Sequence, residues 1–198
     1  MRDHWQKLLA ELNFKEGREK ILDVGGAMDP VPIADVVIDI MNLGKGGKEY
    51  VLLDLAADTF PFPDKHFDVC ICSQTLEDLT SPVLAMREMS RVAKRGIIEI
   101  PHRGAESVKF FWNNDHSVWT FGANHHKWMI EEYGDKLRFT PKRYDLLMKY
   151  PIPKWTGPGG VHWKWEGQID FDMQYDVHDA VIDANYREFQ QQNKEYWS

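Results

Sequence analysis

Cysteine is scarce in this 198-residue chain: the two present, Cys70 and Cys72, lie two apart in an apolar run. Residues so close cannot readily bridge each other, so no disulfide framework is expected and a reducing compartment suits the chain. Long apolar runs are missing too. None approaches the roughly 18 residues that span a bilayer, and the opening MRDHWQKLLAELNF lacks the apolar core of a signal peptide. No membrane partner is expected, and the cytoplasm is the expected compartment. Basic residues are in deficit, 24 Lys and Arg against 31 Asp and Glu. That balance argues against a broad nucleic-acid face, and the acid-rich stretch from Glu166 onward would repel a polyanion. No G-x-G-x-x-G phosphate loop and no H-E-x-x-H metal spacing occurs, so no metal is assigned, although three of His102, His116, His125, His126 and His162 could hold one and structural roles for most of them stay open.

What is present is a succession of short apolar runs. A short amphipathic helix is predicted over 4–14, with Trp5, Leu8, Leu9 and Leu12 on one side. Then come KILDVGG (20–26), ADVVIDI (34–40) and EYVLLDL (49–55), each Val-, Ile- or Leu-rich and each reaching an Asp. Near-continuous apolar runs predict strands buried on both faces, as in a parallel sheet. FDVCICS (67–73) and IIEIP (97–101) predict two more strands. Between them Ser81-Pro82 opens a helix, Arg91, Lys94 and Arg95 crowd its end, and Gly96 stops it. Alternating strands and helices define an α/β class. Further on, WMIEEY and KLRFTPK flank Gly134-Asp135 as a hairpin, HWKWEGQIDFDMQY (162–175) reads as a late strand, and 178–196 as a terminal helix.

Three acidic strand ends in a row carry the chemistry. Ligands of open parallel sheets bind outside the carboxyl ends of the strands. Asp23-Val24-Gly25-Gly26 lets backbone approach a ligand. Asp39 can accept hydrogen bonds from both hydroxyls of a ribose, and Asp54 can border an adenine edge. A nicotinamide cofactor would need a helix N-terminus for its pyrophosphate, but Pro30 and Pro32 leave almost no helix and Asp29 would oppose a phosphate. A ligand with ribose and adenine but no phosphate fits better, and S-adenosylmethionine is one.

From Ile21 to Pro101 the chain resembles the methyltransferase type 11 family of class I methyltransferases, through ILDVGG, PFPDKHFDVCICSQTLEDLTSP and EMSRVAKRGIIEIP. The resemblance implies a Rossmann-like, mostly parallel sheet with a reduced first crossover helix and a C-terminal lid or hairpin region. It implies one domain over 1–198, its cofactor-binding half at 1–101 and its acceptor-side half at 102–198. It implies S-adenosylmethionine as cofactor, with Asp23, Gly25 and Gly26 along the methionine part and Asp39 on the ribose. Asp54 and Leu55 would then border the adenine, and Ser73 and Gln74 would face the sulfonium. The partner is a small-molecule acceptor. Two departures, Ala27 for the second glycine of G-x-G and Asp78 after Leu-Glu, leave open a non-catalytic binding module. A nicotinamide-dependent oxidoreductase is the third reading.

An aromatic and histidine-rich segment follows the fifth strand, including Trp112, His116, Trp119 and Trp128. Because it leaves the sheet at the ligand end, His102, His125 and His126 are the candidate bases at the acceptor side.

Overall fold

The computed structural model describes residues 2–44, 47–111, 119–174 and 178–197, so Trp112 and His116 lie outside the described residues. In chain order the elements are α1 (Arg2–Glu11), β1 (Ile21–Val24), β2 (Val36–Asp39), β3 (Glu49–Leu52), β4 (Phe67–Ser73), α2 (Val83–Val92), β5 (Ala93–Pro101), α3 (Arg103–Glu106), β6 (Lys109–Phe111), β7 (Trp119–Phe121), β8 (Trp128–Tyr133), β9 (Lys136–Pro141), α4 (Tyr144–Lys149), β10 (Gly160–Glu166), β11 (Phe171–Met173) and α5 (Asp179–Gln192). They form two compact units, one of Met1–Ile100 with His162–Ile169, the other of Pro101–Val161 with Asp170–Ser198. The first boundary falls at Ile100–Pro101, one residue before the division into halves at 101 and 102. The return of 162–169 to the first unit has no counterpart in that division.

The first unit is built on a six-stranded sheet of order β10-β5-β4-β1-β2-β3. Strands β1 to β5 pair in parallel, in the 3-2-1-4-5 order of a doubly wound fold. The apolar runs explain the burial: every residue of β1 and β2 is buried, while the edge strand β3 is only partly covered. Trp5 and Leu8 of α1, and Leu12 just after it, pack with Ile21, Val69, Ile71 and Ile97. Strand alternation turns Cys70 and Cys72 to the opposite face. Both thiols are fully buried, and burial pushes them well above their usual pKa, so they serve packing.

Among the described residues no α-helix occurs between β1 and β2, between β2 and β3, or between β3 and β4. The reduction extends beyond the first crossover. Carboxylates brace the first link instead. Val31 N–H donates to Asp23 Oδ2 at 2.7 Å, and Ile21 N–H to Asp35 Oδ2 at 2.7 Å.

Two predicted boundaries move. Helix α2 ends at Val92, not Gly96, and its cap position is Pro82 with no side-chain cap bond. Residues 93–96 join β5, with Ala93 opposite Phe67 and Arg95 opposite Val69. The cations that mimic a helix end have strand-side partners. Lys94 reaches Asp68 at 2.6 Å, and Arg95 reaches Glu19 at 2.7 Å. Gly96 is required because a Cβ there would lie 2.2 Å from the Cys70 carbonyl. The late strand over 162–175 is likewise two strands, β10 and β11, in different sheets. Gly167, at φ 73°, interrupts them.

In the second unit, β8 and β9 form the antiparallel hairpin predicted around Gly134, whose φ is 64°. Strand β11 adds parallel to β9, and β6 pairs with β7. Its core gathers Phe121, Met129, Leu146, Leu147, Ile182 and Tyr186. Arg103 is buried there, its guanidinium 4.9 Å from the Tyr186 ring and 4.6 Å from the Phe189 ring, with Nη1 2.7 Å from Glu131. Trp128 is buried, whereas Trp119 is partly exposed with the Lys109 amine 4.1 Å over its ring.

Candidate active site

The carboxyl ends of β1 to β5 open into a cavity of about 550 Å³, within the range of small-molecule sites. All eight residues assigned to the cofactor line it: Asp23, Gly25, Gly26, Asp39, Asp54, Leu55, Ser73 and Gln74. So do Asp29, and the exposed apolar side chains of Met28, Ile40 and Met41.

The glycine loop is shaped by contact as well as by torsion. Gly25 has φ 79°, and a Cβ on it would lie 2.2 Å from Thr75 Oγ1. A Cβ on Gly26 would lie 2.1 Å from Asp23 Oδ2. Both positions therefore present bare backbone to the cavity. Ala27 is fully buried, so a methyl at the family's second glycine position turns into the core. Asp23 carries the loop on its carboxylate, and burial pushes its pKa up to about 7, against the pull of the Val31 N–H and the Lys48 charge. The Lys48 amine, held below its usual value by burial, donates to the carbonyls of Pro32 and Ala34.

Asp39 is almost fully buried and accepts from two backbone amides, Ala27 N at 3.1 Å and Met41 N at 2.9 Å. A carboxylate has about four lone-pair sites, so these bonds orient it and leave acceptor capacity. Asp54, after the edge strand, is exposed and accepts from Ala56 N at 2.9 Å. Gln74 stands at φ 50°, in the left-handed region unusual for a side-chain-bearing residue. Its N–H donates to the Glu99 carbonyl at 2.8 Å. Such strain is held where surrounding structure over-determines it, and it clusters at functional sites.

The three histidines predicted as bases belong to the second unit. His102 caps α3, its Nδ1 accepting from Gly104 N at 3.0 Å, and its ring stacks on Trp155 at 4.6 Å. Burial holds it below its usual pKa. Its one lone pair is spent on the cap, so Nε2 carries the proton. His126 Nδ1 is 3.0 Å from Glu106, which also binds Lys142. Burial alone would raise the Glu106 pKa, but the bond from His126 and the Lys142 charge hold it below the usual range. The His125 ring meets that of His126 edge-on at 4.6 Å.

The first unit adds residues that strand-end reasoning overlooked. His4 and Trp5 of α1, and Glu99 of β5, also line the cavity. Glu99 is an acid two positions before the end of an Ile-rich strand, the same signal that marked the first three strand ends. His4, far away on a helix, had no such signal.

Residues 20–98 match the methyltransferase domain family. A ubiquinone/menaquinone biosynthesis C-methyltransferase of Pseudomonas fluorescens is 34% identical over 94 residues, covering 46% of this chain and 29% of that protein. One of the same name from Vibrio parahaemolyticus is 28% identical over 115 residues, covering 46% and 44%. The chain thus spans less than half the length of these curated relatives. Among solved structures, the PH0226 protein of Pyrococcus horikoshii aligns at TM-score 0.49 and 15% identity over 83% of this chain and 90% of that one.

Proposed function

We propose that the chain, whose residues 20–98 match the methyltransferase domain family, transfers a methyl group from S-adenosylmethionine to a small or medium-sized acceptor. One observation carries this. The bare-backbone glycines, the oriented Asp39 carboxylate, Asp54 and Leu55 after β3 and the end of β4 all line a single cavity, and no helix N-terminus for a pyrophosphate opens among residues 25–35. Asp29 in the cavity wall disfavours a phosphate further.

In this reading Asp39 accepts from the ribose hydroxyls, and Leu55 and Asp54 border the adenine. The backbone at Gly25 and Gly26 runs along the methionine part, above Asp23. Ser73 and Gln74 flank the methyl side. The cofactor supplies an electrophilic methyl on a sulfonium. The protein aligns the acceptor with it and excludes water. The exposed side chains of Met28, Ile40 and Met41 become covered when the cavity fills. The relatives' names make carbon one candidate methyl-accepting atom, beside oxygen and nitrogen.

Calorimetry with S-adenosylmethionine, S-adenosylhomocysteine and NAD tests the cofactor class. The first two bind and NAD binds far more weakly. Comparable NAD affinity sinks the assignment, and tight binding without transfer to any acceptor favours a binding module.

A further inference from the structure

Resting on the methyl-transfer reading, we infer that Glu99 is the general base that takes the acceptor's proton, with His4 and His162 as its proton exits. Glu99 belongs to the unit that holds the cavity. It lines that cavity at the carboxyl end of β5, directly beside Ser73 in the sheet register.

Its two oxygens are divided between proton-bearing groups. Oε2 accepts from the Ser73 hydroxyl at 2.5 Å and lies 3.1 Å from His4 Nε2. Oε1 lies 3.3 Å from His162 Nε2, and the other nitrogen of that ring lies 3.0 Å from Glu11 Oε1. A neutral imidazole has a single N–H. With a carboxylate oxygen facing each nitrogen, a neutral His162 ring can donate to Glu11 or to Glu99 but not to both at once. The chain of groups thus runs from the cavity wall to partly exposed side chains: His4 and Glu11 on α1, and His162 on β10. The other titratable groups of the cavity wall are Asp23, Asp29, Asp39, Asp54 and Asp78.

Methyl transfer to an acceptor X–H requires this service. The lone pair of X forms the new X–C bond, and the C–S bond breaks with its pair going to sulfur. The X–H proton moves to a Glu99 oxygen and leaves through His4 or His162. The acceptor class is therefore one whose nucleophilic atom carries a proton to lose, such as a hydroxyl, a phenol or an amine.

The test compares acceptors that do and do not need a base. Iodide exchange, read as S-adenosylmethionine formed from S-adenosylhomocysteine and methyl iodide, involves no proton. Catechol, phenol and tryptamine each carry one. In E99Q of the full chain, the ratio of proton-bearing transfer to iodide exchange falls by about 10²–10⁴-fold, the range of general-base contributions. His162 does not line the cavity, so it acts as a positioning residue, and H162Q lowers the same ratio by less. It also serves if E99Q does not fold. An unchanged ratio in both variants overturns the inference. Wild-type protein that neither binds S-adenosylhomocysteine nor performs the iodide exchange refutes the methyl-transfer reading instead.

Discussion

The glycine at position 26 faces the carboxylate of Asp23 so closely that a methyl group there would stand 2.1 Å from Oδ2. The same oxygen holds Val31 N–H at 2.7 Å. Glycine and aspartate therefore act as one device that folds the loop back over the strand end. Gly26→Ala must push Asp23 off Val31 or distort the loop. The expected loss is about 1–3 kcal/mol of stability, the range for overpacking, with weaker S-adenosylmethionine binding. Urea denaturation and calorimetry measure both, and a variant of wild-type stability and affinity contradicts the device.

Asp39→Ala removes the ribose acceptor. S-adenosylmethionine and S-adenosylhomocysteine should each lose roughly 1–3 kcal/mol of affinity, the scale of hydrogen bonds to a charged group. An unaltered dissociation constant for both removes the ribose role.

Asp23 makes stability depend on pH in an unusual direction. Burial raises its folded pKa from 3.8 to about 7, so the native state keeps a proton that the unfolded chain gives up. Its contribution is fully present below pH 3.8, falls as pH climbs, and is gone above about 7. The difference approaches about 4 kcal/mol at most. Asp23→Asn keeps an acceptor for Val31 N–H but does not titrate. Denaturation midpoints of the two proteins at pH 5 and pH 8 should diverge, with the wild type losing more on going to pH 8. Parallel profiles defeat the assignment.

In the second unit, Arg103→Met replaces a buried cation by a chain of similar length. Glu131 then loses its partner at 2.7 Å. A loss of about 3 kcal/mol is expected, the low end for breaking a buried pair, because Glu131 is partly exposed. Adding Glu131→Gln should restore part of it. Additive losses in the double variant exclude coupling between the two.

Much of the site is legible in sequence because strand ends obey a simple rule. Apolar runs that terminate in Asp23, Asp39 and Asp54 can be placed on one edge of a parallel sheet without coordinates, and the residues assigned that way share one cavity. What stays hidden depends on partners distant in sequence. Lys94, Arg95 and Gly96 look like a helix end until Asp68, Glu19 and Cys70 are seen beside them. Glu99 reads as a stray acid until Ser73, His4 and His162 converge on it.

The helix-free links between the first strands also bear on how the chain acquires its fold. In register, Leu22 meets Val36 and Val36 meets Glu49, whereas Ile21 meets Val69. A parallel pair ordinarily waits for a long crossover to close. Here β1, β2 and β3 can zip through separations of about a dozen residues, near the shortest such a pairing allows. The loop-closure entropy of these pairings is correspondingly small. The ribose-side wall of the cavity then assembles from near-local contacts, and the wall formed by β4 and β5 waits for the longer closure.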